Sequence, residues 1–555
     1  MLTNQLAARL IRLLDQGHTA EVISQAGKLI KSNPKVPGLY ELLGTAHARE
    51  GNFDKAERSF RRALKLMPGL ASAQFNLGEL YLSAKRFPQA VACFEMLARA
   101  NPDDGRILLK LAEALVKRGL PDQAVPHLEH AAALSATAIA PRFQLGQIAR
   151  NSGDDDAALG FFQTILEIDP AHYEARFNIG NIHRDARRND AALACYTALL
   201  EARPDHIRLL LNIHACHMQN MDFEKARAAN DAVLAIDPED INAAFNRSAM
   251  ALMKGQWHEG YALAEHRFQT DKPIMPLYWG REPRWDGVSS MADGRLVLHA
   301  EQGLGDTIMM LRFLRLIEDA APKPVVLVHS ALERLVALSF PGFEVATYGE
   351  NERGWRKGRE RAEAQCSVLS LPHLLADRWQ DIPSPGGYLS PPEDVAEQWS
   401  GWLCQQTDRP AVGIVWRGNP ENPNDRHRSI ELDMLVDHLP DAFSYVVLQK
   451  DITDDERGRL DQRARFPVLY PSLTDMADTA ALCQRLHAVI AVDTSVAHLA
   501  GALGTTTHLL LPFMPDPRWR EAGDACDWYD SMVLHRQTAT GDWSAPLTRL
   551  EQALT

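Results

Sequence analysis

Proline recurs in this chain at a fixed interval. Pro34, Pro68, Pro102, Pro170, Pro204 and Pro238 lie 34 residues apart or twice that, with Ala136 in the one missing place. Other positions keep the same beat. The eighth residue of each period is Gly44, Gly78, Ala112, Gly146 or Gly180, and the twentieth is Ala56, Ala90, Ala124, Ala158, Ala192 or Ala226. The twenty-fourth is Phe60, Phe94, Leu128, Phe162 or Tyr196. Small residues let two helices approach closely, a large side chain fills the gap beside them, and proline ends the second helix before the next unit begins. A single helix–turn–helix of this kind cannot bury its apolar face, so the units must stack into a solenoid. Seven registers start near residues 37, 71, 105, 139, 173, 207 and 241, and a weaker one covers 3–36.

The spacing resembles the tetratricopeptide-repeat family over nearly half the chain. That resemblance implies an α solenoid over 3–270 whose concave face takes a protein or peptide partner. In the last period Gly260 stands at the small position and WHEGYALAEHRF adds aromatic residues, as expected of a cap that joins the solenoid to a second domain. Charged stretches such as Asp154–Asp156 read as solvated turn surface.

Composition narrows the function classes. At 555 residues the chain exceeds what one hydrophobic core supports. With 59 basic against 72 acidic residues the net charge is −13, which disfavours a surface that coats nucleic acid. Seven scattered cysteines include no C-x-x-C pair, which argues against a disulfide framework or zinc site and for a reducing, cytoplasmic setting. The N-terminal MLTNQLAARLIRLLDQG reads as an amphipathic helix rather than a signal peptide. No apolar run reaches the roughly 18–20 residues that span a bilayer, and no metal-ligand cluster stands out.

After a connector at 271–293 the period changes. RLVLHAE, PVVLVHS, AVGIVWRG, SYVVLQKD, HAVIAVDT and THLLLPF read as buried strands separated by helices, which predicts parallel sheets covered on both faces. The Pro- and Gly-rich PSPGGYLSPPEDV divides this half into lobes at 294–390 and 408–545. Ligands of such sheets bind beyond the carboxyl ends of the strands.

Three segments carry candidate chemistry. Glu301-Gln302-Gly303-Leu304-Gly305-Asp306 joins a strand to a helix: Gly303 and Gly305 permit close backbone approach, and Asp306 either caps the helix or presents its carboxylate to a cleft. In AVDTSVAHLAGALG, Asp493 ends a strand, Thr494 and Ser495 open a helix, and His498 lies on its first turn. That is either a plain capped helix or a phosphate site built from free N–H groups and hydroxyls. Arg417, Arg426 and Arg428 in VWRGNPENPNDRHRSIEL are either solvated loop charges or cations suited to a diphosphate.

Together these segments resemble glycosyltransferase family 9, the ADP-heptose:lipopolysaccharide heptosyltransferases, over roughly 295–545. The match is clearest in VDTSVAHLAGALG. The resemblance implies a GT-B fold of two Rossmann-like lobes and inverting transfer from a nucleotide-sugar donor, with no further cofactor or metal. Asp306 would be the base; Gly303, Gly305, Asp493, Thr494, Ser495, His498 and Arg428, with Arg426 as the alternative and Arg417 in support, would hold the donor. Ser495 stands where the family has glycine, and Leu311 and Arg312 lie where it has proline. The first lobe is also short, which motivates a second expectation: a catalytically inactive adaptor whose α/β half only binds a nucleotide or partner.

Overall fold

The computed structural model describes residues 4–270, 282–289, 295–317, 324–348, 362–381, 387–420 and 425–555. The connector at 271–293 lies outside them except for 282–289, as do residues 349–361, which include most of the charged stretch 350–363 of the first lobe. Two compact units divide the chain, residues 1–203 and 204–555.

The first unit consists of antiparallel helix pairs in the predicted register, such as Ala71–Ser83 with Phe87–Ala100 and Ile139–Asn151 with Asp155–Ile168. Each glycine of the eighth position faces the ring of the twenty-fourth. A Cβ on Gly44, Gly78, Gly146 or Gly180 would lie 2.7–2.8 Å from Phe60, Phe94, Phe162 or Tyr196. Where the repeat carries Ala112 instead, the partner is the slimmer Leu128. The turn between the paired helices needs a left-handed residue, found at Gly51, Lys85, Gly119, Gly153 and Arg187, again 34 apart. Glycine meets this demand without strain at three of those places; Lys85 and Arg187 meet it at φ 58°.

The second unit begins with two more pairs, Ile207–Gln219 with Phe223–Ile236 and Ile241–Met253 with Trp257–Ala264, which a short 3₁₀ turn, Glu265–Phe268, extends. These pairs pack on the α/β part. Trp257 and Tyr261 set their rings edge-on to Trp528 at 5.2 and 6.2 Å, and Met514 packs against Met218, Ala226 and Met250.

The α/β part holds two parallel sheets. β1 (Arg295–His299), β2 (Val325–Val328), β3 (Glu344–Thr347) and β4 (Ala362–Ser367) lie in the order β3-β2-β1-β4. β5 (Ala411–Val415), β6 (Ser444–Val447), β7 (Val468–Leu469), β8 (Ala488–Val492), β9 (Thr507–Leu511) and β10 (Met532–Arg536) lie in the order β10-β9-β8-β5-β6-β7. Counted within its own lobe, the larger sheet runs 3-2-1-4-5-6, the doubly wound order of dinucleotide-binding folds, whose switch point falls between the first and fourth strands. Here those are β5 and β8, paired at Ile414↔Ile490. Leu296 and Leu298 of β1 share one continuous core with Val489 and Ala491 of β8 and with Leu499, so both lobes and Tyr261 are joined by buried apolar surface. Among the described residues no helix is long and apolar enough to cross a membrane.

Candidate functional site

The carboxyl end of β1 leads into Glu301, whose side chain is fully buried and held by Arg267 of the 3₁₀ turn. Gly303 then opens the helix Leu304–Met310. Asp306 occupies its first turn and uses both oxygens: Oδ2 accepts from the Gly303 amide at 3.1 Å, and Oδ1 accepts from Arg518 Nη2 at 2.5 Å. Asp306 therefore does cap its helix and also faces across to the other lobe.

Opposite it, β8 ends at Val492 and leads into Asp493, Thr494 is the N-cap, and Ser495 starts the helix Ser495–Leu503, which Gly504 closes in the left-handed conformation at φ 76°. This run of small residues closed by a glycine gives a short helix that is buried from Ala497 to Leu503. Its amino end lies at the switch point. The Thr494 hydroxyl is buried and has no hydrogen-bond partner among the described residues. His498 is 2% exposed, with Nδ1 3.0 Å from the Tyr529 hydroxyl and Nε2 3.7 Å from Asp493. The ring stacks on Trp519 at 5.1 Å. Gly305 lies directly over it, since a Cβ there would come within 2.7 Å of His498 Cδ2. The two helix amino ends thus meet at Gly305 and His498. Burial would raise the Asp493 carboxyl, but the neighbouring His498 and Arg518 outweigh that and push it down to about 2.

Arg518 comes from the turn Pro517–Trp519 that follows β9. Besides Asp306 it contacts Asp516, from Nε to Oδ1 at 2.7 Å and from Nη2 to Oδ2 at 3.2 Å. Burial works against its charge, yet the surrounding carboxylates Asp516, Asp306 and Asp493 raise its pKa well above the ordinary arginine value.

The third predicted segment sits beyond β5, on the other side of the switch point. Arg417 is committed to Glu456 by two bonds of 2.8 and 3.0 Å. Trp416 Nε1 donates to the same carboxylate, and Thr453 and Glu456 cap the helix Asp454–Arg463 reciprocally. Burial raises Glu456, but Arg417, Thr453 and Trp416 bring it to about 2. Arg428 bonds Asp425 at 3.0 Å in a turn closed over Gly418, where a Cβ would lie 2.5 Å from Arg428 Nη2. Arg426 is exposed beside His427. The structure therefore brings Gly303, Gly305, Asp306, Asp493, Thr494, Ser495 and His498 together, sets Arg428 at the end of β5, and turns Arg417 toward Glu456. Arg518, Trp519 and Tyr529 were missed in the sequence. The one available signal for Arg518 was its place in the proline-rich turn PDPRW after a strand run.

Models of the tetratricopeptide repeat match residues 8–71, 109–173 and 177–241, and a second such model matches 47–114. The periodic first half is therefore built of tetratricopeptide repeats. Over its whole length the chain is similar to Protein FlbA of Caulobacter vibrioides, 24% identical over 566 residues, covering 99% of this chain and 89% of that protein. A chloroplastic tetratricopeptide repeat domain-containing protein of Arabidopsis thaliana, PYG7, is 36% identical over 66 residues, 12% of this chain and 22% of that protein. Among solved structures, the C-terminal part of a TPR repeat-containing protein from Cytophaga hutchinsonii covers 43% of this chain and 98% of its own, at 17% identity and TM-score 0.39. YrrB, a TPR protein, covers 39% of this chain and 95% of its own at 23% identity and TM-score 0.26.

Proposed function

We propose that the chain is a glycosyltransferase of GT-B type: its repeats recruit a protein or peptide, and its α/β part moves a sugar from a nucleotide-diphosphate donor to an acceptor hydroxyl with inversion. The observation that carries this reading is the meeting of the Gly-Asp turn after β1 with the Asp-Thr-Ser-x-x-His turn after β8, at the switch point of a 3-2-1-4-5-6 sheet. The amino end of Ser495–Leu503, the unpartnered Thr494 hydroxyl and Arg428 would hold the diphosphate. Asp306 would accept the acceptor's proton as its oxygen attacks the anomeric carbon, and the bond to the diphosphate oxygen would break with that charge absorbed by the same donors. His498, clasped by Asp493, Tyr529 and Trp519, would serve to orient Asp493.

The test is donor turnover by the full chain. A nucleotide-sugar that raises its thermal stability should also be consumed, and Asp306→Asn should keep binding while losing about 10²-fold or more in turnover. Undiminished turnover in that variant would remove Asp306 from the chemistry.

A second reading, an adaptor that binds a nucleotide or partner without transfer, draws support from the same core. The buried surface joining the two lobes leaves little freedom for one to close upon the other. A nucleotide that binds without any donor being consumed would favour it.

A further inference from the structure

Arg518 is claimed by more anions than it can serve. Its guanidinium is paired with Asp306 and Asp516, and Asp493 adds a third negative charge nearby. Its side chain is only 15% exposed, so these interactions are weakly screened. The two contacts are not equivalent. The Nε bond to Asp516, two residues away, fixes the arginine to its own turn. Nη2, shared between Asp306 at 2.5 Å and Asp516 at 3.2 Å, is the part that can change partner by a small rotation. The competing position is next door, since Asp493 immediately precedes the Thr494 N-cap.

We propose that Arg518 is a diphosphate-binding residue of this site and that Asp306 occupies it in the absence of ligand, so that the diphosphate must displace Asp306 from Nη2. This rests on the diphosphate reading of the switch point given above. A diphosphate offers a guanidinium more charge and a better two-point fit than one carboxylate oxygen. The exchange leaves the Asp306 oxygen that faces the other lobe without its cation, available to an acceptor hydroxyl. Donor binding and release of the base become one event, and an empty site keeps its base engaged.

The experiment is calorimetric titration of ADP, GDP and UDP into the full chain and into Asp306→Asn, Arg518→Met, Arg518→Lys and the Asp306→Asn/Arg518→Met double variant. For whichever nucleotide binds, Asp306→Asn should tighten the dissociation constant about tenfold, because a neutral amide competes poorly for the guanidinium. Arg518→Met should weaken it by tenfold or more, with Arg518→Lys intermediate. In the double variant the gain from Asp306→Asn should vanish. Far-ultraviolet circular dichroism of each variant establishes that it is folded; if Arg518→Met does not fold, Asp306→Asn and Arg518→Lys still decide. Binding that Asp306→Asn leaves unchanged or weakens would overturn the competition and leave the diphosphate site standing. No binding of any nucleotide to either the wild type or Asp306→Asn would overturn both.

Discussion

Arg267 and Glu301 form a two-point ion pair, Nε to Oε1 at 2.7 Å and Nη2 to Oε2 at 2.9 Å, with side chains 4% and 0% exposed. It ties the end of the last repeat to the turn that bears Gly303, Gly305 and Asp306. Arg267 also donates to Ser370, Glu265 and the Ala264 carbonyl, and Ser367 donates to Glu301. Removing one member strands a buried charge, which costs about 3–5 kcal/mol, whereas replacing both with apolar residues is often close to neutral. Arg267→Met, which leaves Glu301 buried without a cation, should therefore lower stability by about 3 kcal/mol, and Arg267→Met/Glu301→Leu should recover most of it. Urea denaturation of the three chains checks this; a double variant no better than the single would show that the pair itself is needed.

The glycine–ring fit of the repeats makes a second prediction. Alanine suits a helix interior better than glycine by about 1 kcal/mol. At Gly78, however, the new methyl would lie 2.7 Å from the Phe94 ring. Overpacking of that kind costs about 1–3 kcal/mol, so Gly78→Ala should be destabilising on balance. Gly78→Ala/Phe94→Leu reproduces the Ala112 and Leu128 combination already present one repeat on, and should be more stable than the sum of the single changes by about 1 kcal/mol. A double-mutant cycle from denaturation midpoints measures that coupling.

That fit was legible because one arrangement recurs every 34 residues, and recurrence separates signal from accident. The strands at the centres of the sheets were legible too, being continuous apolar runs: β1, β2, β5, β6, β8 and β9 all fall within runs read from the sequence. β3, β4, β7 and β10 were not seen. Glu344–Thr347 and Ala362–Ser367 carry polar residues on edge strands, Val468–Leu469 is two residues long, and Met532–Arg536 ends in His535 and Arg536. The helix that follows the Gly-Asp turn is short, Leu304–Met310, and passes into a 3₁₀ turn at Leu311–Leu316. At the site, residues within one motif were found, while partners brought by the fold from over two hundred residues away were not. The separation between Asp306 and Arg518 leaves no trace in local spacing.

Two buried histidines on neighbouring strands set a pH dependence. His508 Nδ1 lies 3.0 Å from His535 Nε2, and both are at most 6% exposed. Burial, then the charges of His508 and Arg549, push His535 from 6.5 down to about 4. The folded chain thus resists a proton that the unfolded chain accepts below about 6.5. Stability attributable to this group is complete above pH 6.5 and is lost as pH falls toward 4, by about 1.4 kcal/mol per unit. Between pH 7 and 4.5 His535→Gln should lose about 2–3 kcal/mol less than the wild type in urea denaturation. Parallel losses in the two chains would assign the acid sensitivity to other groups.

The contact between Gly305 and His498 distinguishes the two glycines of the turn after β1. At Gly303 a Cβ would meet only Asp306 Oδ2 at 3.3 Å, and its φ of −68° suits any residue, so Gly303→Ala should change stability by less than about 1 kcal/mol. At Gly305 the same methyl would sit 2.7 Å from His498 Cδ2. His498 has nowhere to retreat: Trp519 stacks on one side, the Tyr529 hydroxyl holds Nδ1, and Asp493 lies beyond Nε2. Either the helix Leu304–Met310 moves off, carrying Asp306 away from Arg518, or His498 is driven against its neighbours. Both cost about 1–3 kcal/mol by overpacking, more than the gain in helix propensity. Both also disturb the amino end of Ser495–Leu503. Gly305→Ala should therefore lower stability by about 1–2 kcal/mol and weaken the nucleotide binding proposed above several-fold, while Gly303→Ala does neither. If the two alanine variants proved equal in both respects, the meeting of the helices at Gly305 would be incidental to the site.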